Sequence, residues 1–459
     1  MQAPSGYILI KEEDLLKMYD HIRQLSERIK ELETRLNKNS SNSHKPPTSD
    51  GLKRTIQNNR EKSDRKPGAQ EGHEGKTLKM SDNPDAVIVH MVEGYCKCGK
   101  SLKHAELLHI QRRQEIDLVE VLTKTTEHRI EVKAFSCGEV HYGEDEKYIP
   151  IQYGSGIKAM AVYLNQYQFI PFARQQELFQ DLFRVSISDG VLQLANEKCY
   201  TNLEEVEQVI KEKIKTSPVI HNDETGIRCE DKTGWIHNSS TEQYTFYRIH
   251  EKRGRVAIEE IGILPAYKGI CVHDRYSSYD SDQYTFKHAL CNAHLLRDLK
   301  GLVEEEDTPW AKKMVQFLKA TNREKRYKIT KRRQDEILKV YEKIVRKGLR
   351  EEPPKPPPKE IKRGRQKRTK SSLLLEVFSN RSMDILRFVF NRLVPFDNNL
   401  AERDLRMVKL KQKISGCFRT QKGAQIFCRI RGYISTARKQ KYSILEALQM
   451  AIDGAPIAF

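Results

Sequence analysis

Glu402 opens a stretch in which, from Arg403 to Lys439, eleven Lys and Arg residues meet a single acid, Asp404. It lies in PFDNNLAERDLRMVKLKQK, Pro395 to Lys413. Pro395 stops whatever precedes, and Asp397 is placed to cap a helix. Arg406, Lys409 and Lys413 follow Glu402 at spacings of four, seven and eleven, so a helix carries them on one face with it. Asp404 turns away from that face and is expected to pair with a nearby Arg. A carboxylate kept among so many cations suits a metal ligand beside a phosphate-binding surface. Arg406, Lys409, Lys413 and Arg419 are then the candidate nucleic-acid contacts. The bland alternative for these cations is a solvated helix face.

Two other acids stand where such a metal would need them. Asp223 follows the apolar-rich VIHN, and Asp274 follows ICVH; each segment reads as a strand running into its Asp. Singly, an Asp after a strand serves a turn or a cap. Together with Glu402 the three offer hard oxygen donors, which magnesium prefers. Two such ions about 3.5–4 Å apart let phosphoryl transfer proceed without a covalent intermediate. Two Asp on neighbouring strands can flank the ions, and the longer Glu reaches in from a packed helix. A second candidate set is Cys96, Cys98, Cys137 and His141, three thiols and an imidazole able to hold zinc tetrahedrally. The alternative there is a small β module with buried thiols, because C-x-C and C-x-x-x-H are irregular spacings.

These residues need elements to position them. Residues 10–37 carry the heptad Leu15, Met18, Ile22, Leu25, Ile29, Leu32 and Leu36, read as the seam of a leucine-zipper coiled coil, with one amphipathic helix packed on its own protein as the alternative. A basic, Ser-, Pro- and Gly-rich linker spans 38–83, and the candidate zinc-finger-like β module spans 84–150, with strands at Ile116–Thr125 and His128–Ala134. Residues 151–215 read as helices, with a turn at Val185–Ser188 and Ser188 capping the next helix. This is either a helix-turn-helix or a plain connector. From 216 a mixed α/β pattern begins: strands at Val219–Asn222, WIHNSS, QYTFYRIH and Ile270–His273, helices at Arg253–Ile263 and Cys291–Val303. Very basic helices and a Pro-rich loop occupy 301–371. Helix resumes over 371–393 and leads into Glu402, and a closing helix is expected at Thr436–Ala451.

The chain of 459 residues has a net charge of +18, which points to a polyanionic partner. No apolar run approaches the roughly 20 residues that cross a bilayer, and the N-terminus lacks a signal-peptide core. Nine scattered cysteines do not form a disulfide framework. A cytoplasmic protein with thiols free for metal is expected.

NKNSSNSHKPPTSDGL, RKPGAQEGHEG, AVYLNQYQFIPFARQQELFQDLF, HNDETG, CNAHLLRDL and above all VPFDNNLAERDLRMVKLKQKISGCFRT with RGYISTARKQ resemble the IS66 (TnpC-type) family of insertion-sequence transposases. The likeness covers nearly the whole chain. It implies a multidomain α/β protein whose ribonuclease-H-like core, a mixed sheet flanked by helices, is split over 216–300 and 372–432. The helical insertion lies at 301–371 and a C-terminal helix at 433–459. It implies a DDE enzyme in which Asp223, Asp274 and Glu402 bind two magnesium ions, with manganese as an alternative. Double-stranded DNA, the terminal inverted repeats and the target, would be the substrate. Self-association through the zipper and two small accessory proteins of the same element are implied as well. Paired C-x-x-C knuckles are usual in the family's zinc module, and this chain departs from them. Cys291 and His294 form a C-x-x-H pair that resembles one found in several DDE transposases; we read it as packing its helix on the core, with metal contact as the lesser alternative. Competing readings are a catalytically inactive DNA-binding protein derived from a transposase, and a nuclease without joining activity.

Overall fold

The computed structural model describes residues 11–39, 152–306, 308–352 and 368–459, with short stretches between 42 and 142. Helix α1 (Glu12–Leu36) is continuous, and its heptad residues Leu15, Met18, Ile22, Leu25, Ile29, Leu32 and Leu36 are all exposed. Strands β1 (Val132–Ala134) and β2 (Val140–Tyr142) form an antiparallel pair with His141 opposite Lys133. Thr123–Glu127 is not strand, so the expected strand at Ile116–Thr125 does not reach its predicted end. Cys96 and Cys137 lie outside the described residues, as does the His141 side chain, and Cys98 is exposed.

Four further described helices lie between β2 and the sheet. They are α2 (Ser155–Val162), prolonged by a π-turn at Tyr163–Tyr167, α3 (Phe172–Phe183), α4 (Asp189–Asn202) and α5 (Glu204–Thr216). The Ser188 side chain caps α4, accepting from the Val191 amide at 3.4 Å. Leu192, Ala195 and Cys199 of α4 are buried, while Leu194 and Lys198 face outward.

The sheet is built from β3 (Val219–Cys229), β4 (Lys232–Ser240), β5 (Thr245–His250), β6 (Ile270–His273) and β7 (Lys287–Leu290), in the order β5-β4-β3-β6-β7. β3, β4 and β5 form an antiparallel meander; β6 pairs parallel with β3 and β7 parallel with β6. Helix α6 (Arg255–Ile261) makes the crossover from β5 to β6. The sequence reading misses two features of this sheet. β3 does not stop at Asn222; it runs eleven residues, so Asp223 is mid-strand. Its parallel partner β6 ends early, at His221↔Val272, but β4 pairs with it from His221 to Cys229. The polar sequence Asp223–Gly226 hides that half of the strand. β7 is the second: KHAL is too short and mixed to be legible, with only Ala289 and Leu290 buried.

After α7 (Asn292–Glu306) come α8 (Pro309–Glu324), α9 (Lys331–Glu351), α10 (Lys370–Asn380), α11 (Ser382–Ile385) and α12 (Arg387–Phe390). The Pro-rich loop lies mostly outside the described residues. The last three helices are α13 (Asn399–Ser415), α14 (Gln421–Lys439) and α15 (Ile444–Ile452). No single helix fills Thr436–Ala451: the chain turns between α14 and α15, with Lys441 at φ 67°.

Neighbouring residues of β6 point to opposite layers, as a strand requires. Cys271 joins Ile220, Phe246 and the helices α2–α5, α14 and α15. Ile270 and Val272 join Ala289, Leu290 and α7–α12, where Trp310 is fully buried. Toward the hairpin end, Ile227, Ile236 and Tyr247 meet Leu405 and Val408 of α13 and Phe427 of α14. The result is a five-stranded mixed sheet flanked by helices on both faces, an arrangement consistent with a ribonuclease-H-like core.

Candidate active site

Parallel pairing of β3 with β6 runs from Val219↔Ile270 to His221↔Val272. Asp223 and Asp274 are each two residues beyond that last pair, so they fall on the same side of adjacent strands. Asp223 accepts from the Glu224 amide at 2.9 Å, and Asp274 accepts from the Tyr276 amide at 2.9 Å, which turns the chain away from the sheet.

Glu402 reaches this place from the first turn of α13. The helix start is docked by Asn398. Its amide donates to the Asn222 carbonyl at 2.8 Å, its carbonyl oxygen meets the His221 imidazole Nδ1 at 2.8 Å, and its backbone N–H donates to Cys291 Sγ at 3.2 Å. Asp397 does not cap the helix, as its position had suggested; Asn398 is the N-cap residue and Asp397 accepts from Asn399 N at 3.1 Å. The reason is that the Asn398 side chain is taken up by β3, one residue nearer the helix.

Burial, followed by Glu224, Asp274 and Glu402 as neighbouring charges, pushes the Asp223 carboxyl well above the usual carboxylate range. Asp274 and, more weakly, Glu402 thus act as neighbouring charges on the buried Asp223 carboxyl. Glu402 lies 3.7 Å from the Arg297 guanidinium and 3.9 Å from His294 Nδ1, yet its buried Oε1 has no hydrogen-bond partner among the described residues. Hard oxygen donors, mutual repulsion and an unsatisfied carboxylate oxygen together fit a divalent cation.

A layer of support was not legible in the sequence. The buried Glu224 carboxylate accepts from Arg253 Nε at 2.8 Å and from the Tyr279 hydroxyl at 2.6 Å. The Arg253 guanidinium stands over the Tyr276 ring at 4.1 Å and the Trp235 ring at 5.0 Å. Burial, then the neighbouring His288, drives the His273 pKa down to about 3, so this ring beside Asp274 is neutral. Glu224 lies in DET and Tyr276 and Tyr279 in HDRYSSY, but only the β6–β7 connection brings Tyr279 to Glu224.

Arg406, Lys409, Lys413 and Arg419 are exposed. Lys409 also donates to the Gly226 carbonyl at 2.6 Å, tying α13 to β3. Asp404 pairs with a lysine, Lys439, at 2.8 Å rather than with the expected Arg. It faces β5 and α14, where the Thr245 hydroxyl also donates to it at 3.3 Å. The Cys291–His294 pair does pack the start of α7 against the start of α13, as the Asn398–Cys291 contact shows. The donor atoms of Cys291, His294 and Glu402 also all lie within 4.8 Å of one another.

Residues 150–426, more than half of the chain, match the family described as Transposase IS66 family, and the chain belongs to it. Residues 9–79 match a family of unknown function, DUF6444. No curated protein matches the chain. No helix among the described residues is long and apolar enough to cross a membrane.

Proposed function

We propose that the chain cleaves DNA at insertion-sequence ends and transfers the freed strand into target DNA, using Asp223, Asp274 and Glu402 as one metal-binding centre. What supports this reading is that Asp223 and Asp274 stand two residues beyond the last pair of adjacent strands, and that Asp274 and Glu402 act as neighbouring charges on the buried Asp223. Divalent magnesium or manganese, when bound there, activates the attacking oxygen and stabilises the departing one. Asp223, Asp274 and Glu402 are the residues that would hold the ions beside the reacting phosphodiester. The supporting layer of Glu224, Arg253 and Tyr279 keeps Asp223 and Asp274 in place. In the first step a water oxygen bonds to phosphorus and the P–O3′ bond breaks, leaving a 3′-hydroxyl. In the second, that hydroxyl attacks a target phosphodiester, forming the new P–O3′ bond as a target P–O3′ bond breaks. Arg406, Lys409, Lys413 and Arg419 seat the DNA backbone beside the acids. Helix α1 pairs two copies through its apolar seam, and small accessory proteins of the same element complete the assembly. Zinc at Cys96, Cys98, Cys137 and His141 belongs to the N-terminal module.

The test is a cleavage and joining assay on paired-end DNA with magnesium. Asp223→Asn should lower both steps on the order of 10³-fold while end binding persists. Retained cleavage in that variant sinks the assignment. Binding without cleavage by the wild type identifies a retired enzyme, and cleavage without joining identifies a nuclease.

A further inference from the structure

We propose that Cys291, His294 and Glu402 form a second, softer metal site that takes zinc and, in doing so, withdraws Glu402 from the magnesium centre. The withdrawal rests on the reading of Glu402 given above; the zinc site itself does not.

The donor atoms are already gathered within 4.8 Å of one another. Cys291 immediately precedes α7 and His294 lies three residues on, so the two share one side of its first turn. Glu402 comes from the first turn of α13. The two helix starts are tied together without any metal: Asn292 N donates to the Phe396 carbonyl at 3.0 Å, and Asn398 N donates to Cys291 Sγ at 3.2 Å. The ligands are therefore held in place beforehand, which is what metal affinity requires. The Glu402 Oε1 atom is buried, has no hydrogen-bond partner among the described residues, and is the oxygen 3.9 Å from His294.

The donor set selects the ion. Thiolate and imidazole suit zinc and disfavour magnesium, and three protein ligands leave a fourth position for water. On binding, the Cys291 S–H bond breaks, sulfur bonds to the metal and the proton passes to solvent. Arg297, 3.7 Å from Glu402, is the cation that zinc must outcompete. A Glu402 carboxylate bound beside Cys291 is turned toward α7 and is lost to Asp223 and Asp274.

The full-length protein is titrated with cobalt(II), whose bond to thiolate absorbs in the near ultraviolet. Wild type should take up one more equivalent than Cys291→Ser, and His294→Ala should lose the same equivalent. The comparison by difference removes any contribution from Cys96, Cys98 and Cys137. His294→Ala keeps the test valid if Cys291→Ser does not fold. Equal uptake by wild type and the folded variants overturns the site. Zinc added to magnesium-supported cleavage should then slow wild type about tenfold or more, and His294→Ala much less. Equal inhibition of both overturns the withdrawal. Asp223→Asn should keep the full cobalt signal, so a failure of the transposase assignment leaves the metal result readable.

Discussion

Asn398 precedes Glu402 by four residues, and its backbone carbonyl accepts the Glu402 amide at 3.2 Å. Its side chain bonds to both the Asn222 carbonyl and the His221 ring on the strand that carries Asp223. The amide therefore sets the distance between two of the three acids. Asn398→Ala leaves those two buried groups without partners, which should cost about 2–3 kcal/mol of stability. A shift of α13 by a fraction of an ångström to an ångström should lower strand cleavage about 10²-fold. Thermal denaturation and the cleavage assay check both effects. A variant as active as wild type rules out a positioning role for Asn398. Glu224 has the same character: a carboxylate beside Asp223 whose own business is with Arg253 and Tyr279, inside the protein.

Helix α14 changes the meaning of the basic tract. Arg429 and Arg431 are buried and Lys439 is mostly so. Arg429 pairs with Glu207 at 2.9 Å and lies over the Tyr200 ring, while Arg431 stands near the Tyr167 and Phe169 rings. These cations belong to the core, and only part of the tract is left for phosphate. The helix lies so close to β5 that a Cβ on Gly432 would come 3.1 Å from the Thr245 carbonyl oxygen. Beside it, Thr245 N donates to Thr436 Oγ1 at 3.1 Å. Gly432→Ala should therefore force the helix off the strand and cost about 1–3 kcal/mol. Urea denaturation measures this, and an unchanged midpoint would show that the contact relaxes freely.

Charge acts on the whole molecule. With a net charge of +18, DNA binding should weaken steeply with salt. If Arg406 and Lys413 meet phosphates, replacing both by Ala should flatten the slope of log affinity against log salt by about 2. An unchanged slope assigns those residues to solvent. The α1 seam, exposed along its whole length in one chain, should be covered in a dimer. Sedimentation of wild type against the double variant Leu25→Lys, Ile29→Lys should show a dimer become a monomer; a monomeric wild type removes the zipper reading.

By itself, the sequence determined the elements whose signal is local. The heptad predicted α1, residues 151–215 read as helical, Ser188 marked the start of α4, and ICVH marked β6. It also singled out Asp223, Asp274 and Glu402, because acids beside apolar strands and inside a cationic helix are chemically conspicuous. Tertiary structure alone decided that β3 runs through Asp223, since β4 supplies hydrogen bonds that the polar DETG segment does not advertise. It decided that Asp404 meets Lys439, that Arg429 and Arg431 are core residues, and that Asn398 joins α13 to β3. It also brought Cys291 and His294 against Glu402, more than a hundred residues away. All but the β3–β4 hairpin are pairings between segments far apart in the chain, and periodicity and capping report only on a residue's near neighbours along the chain.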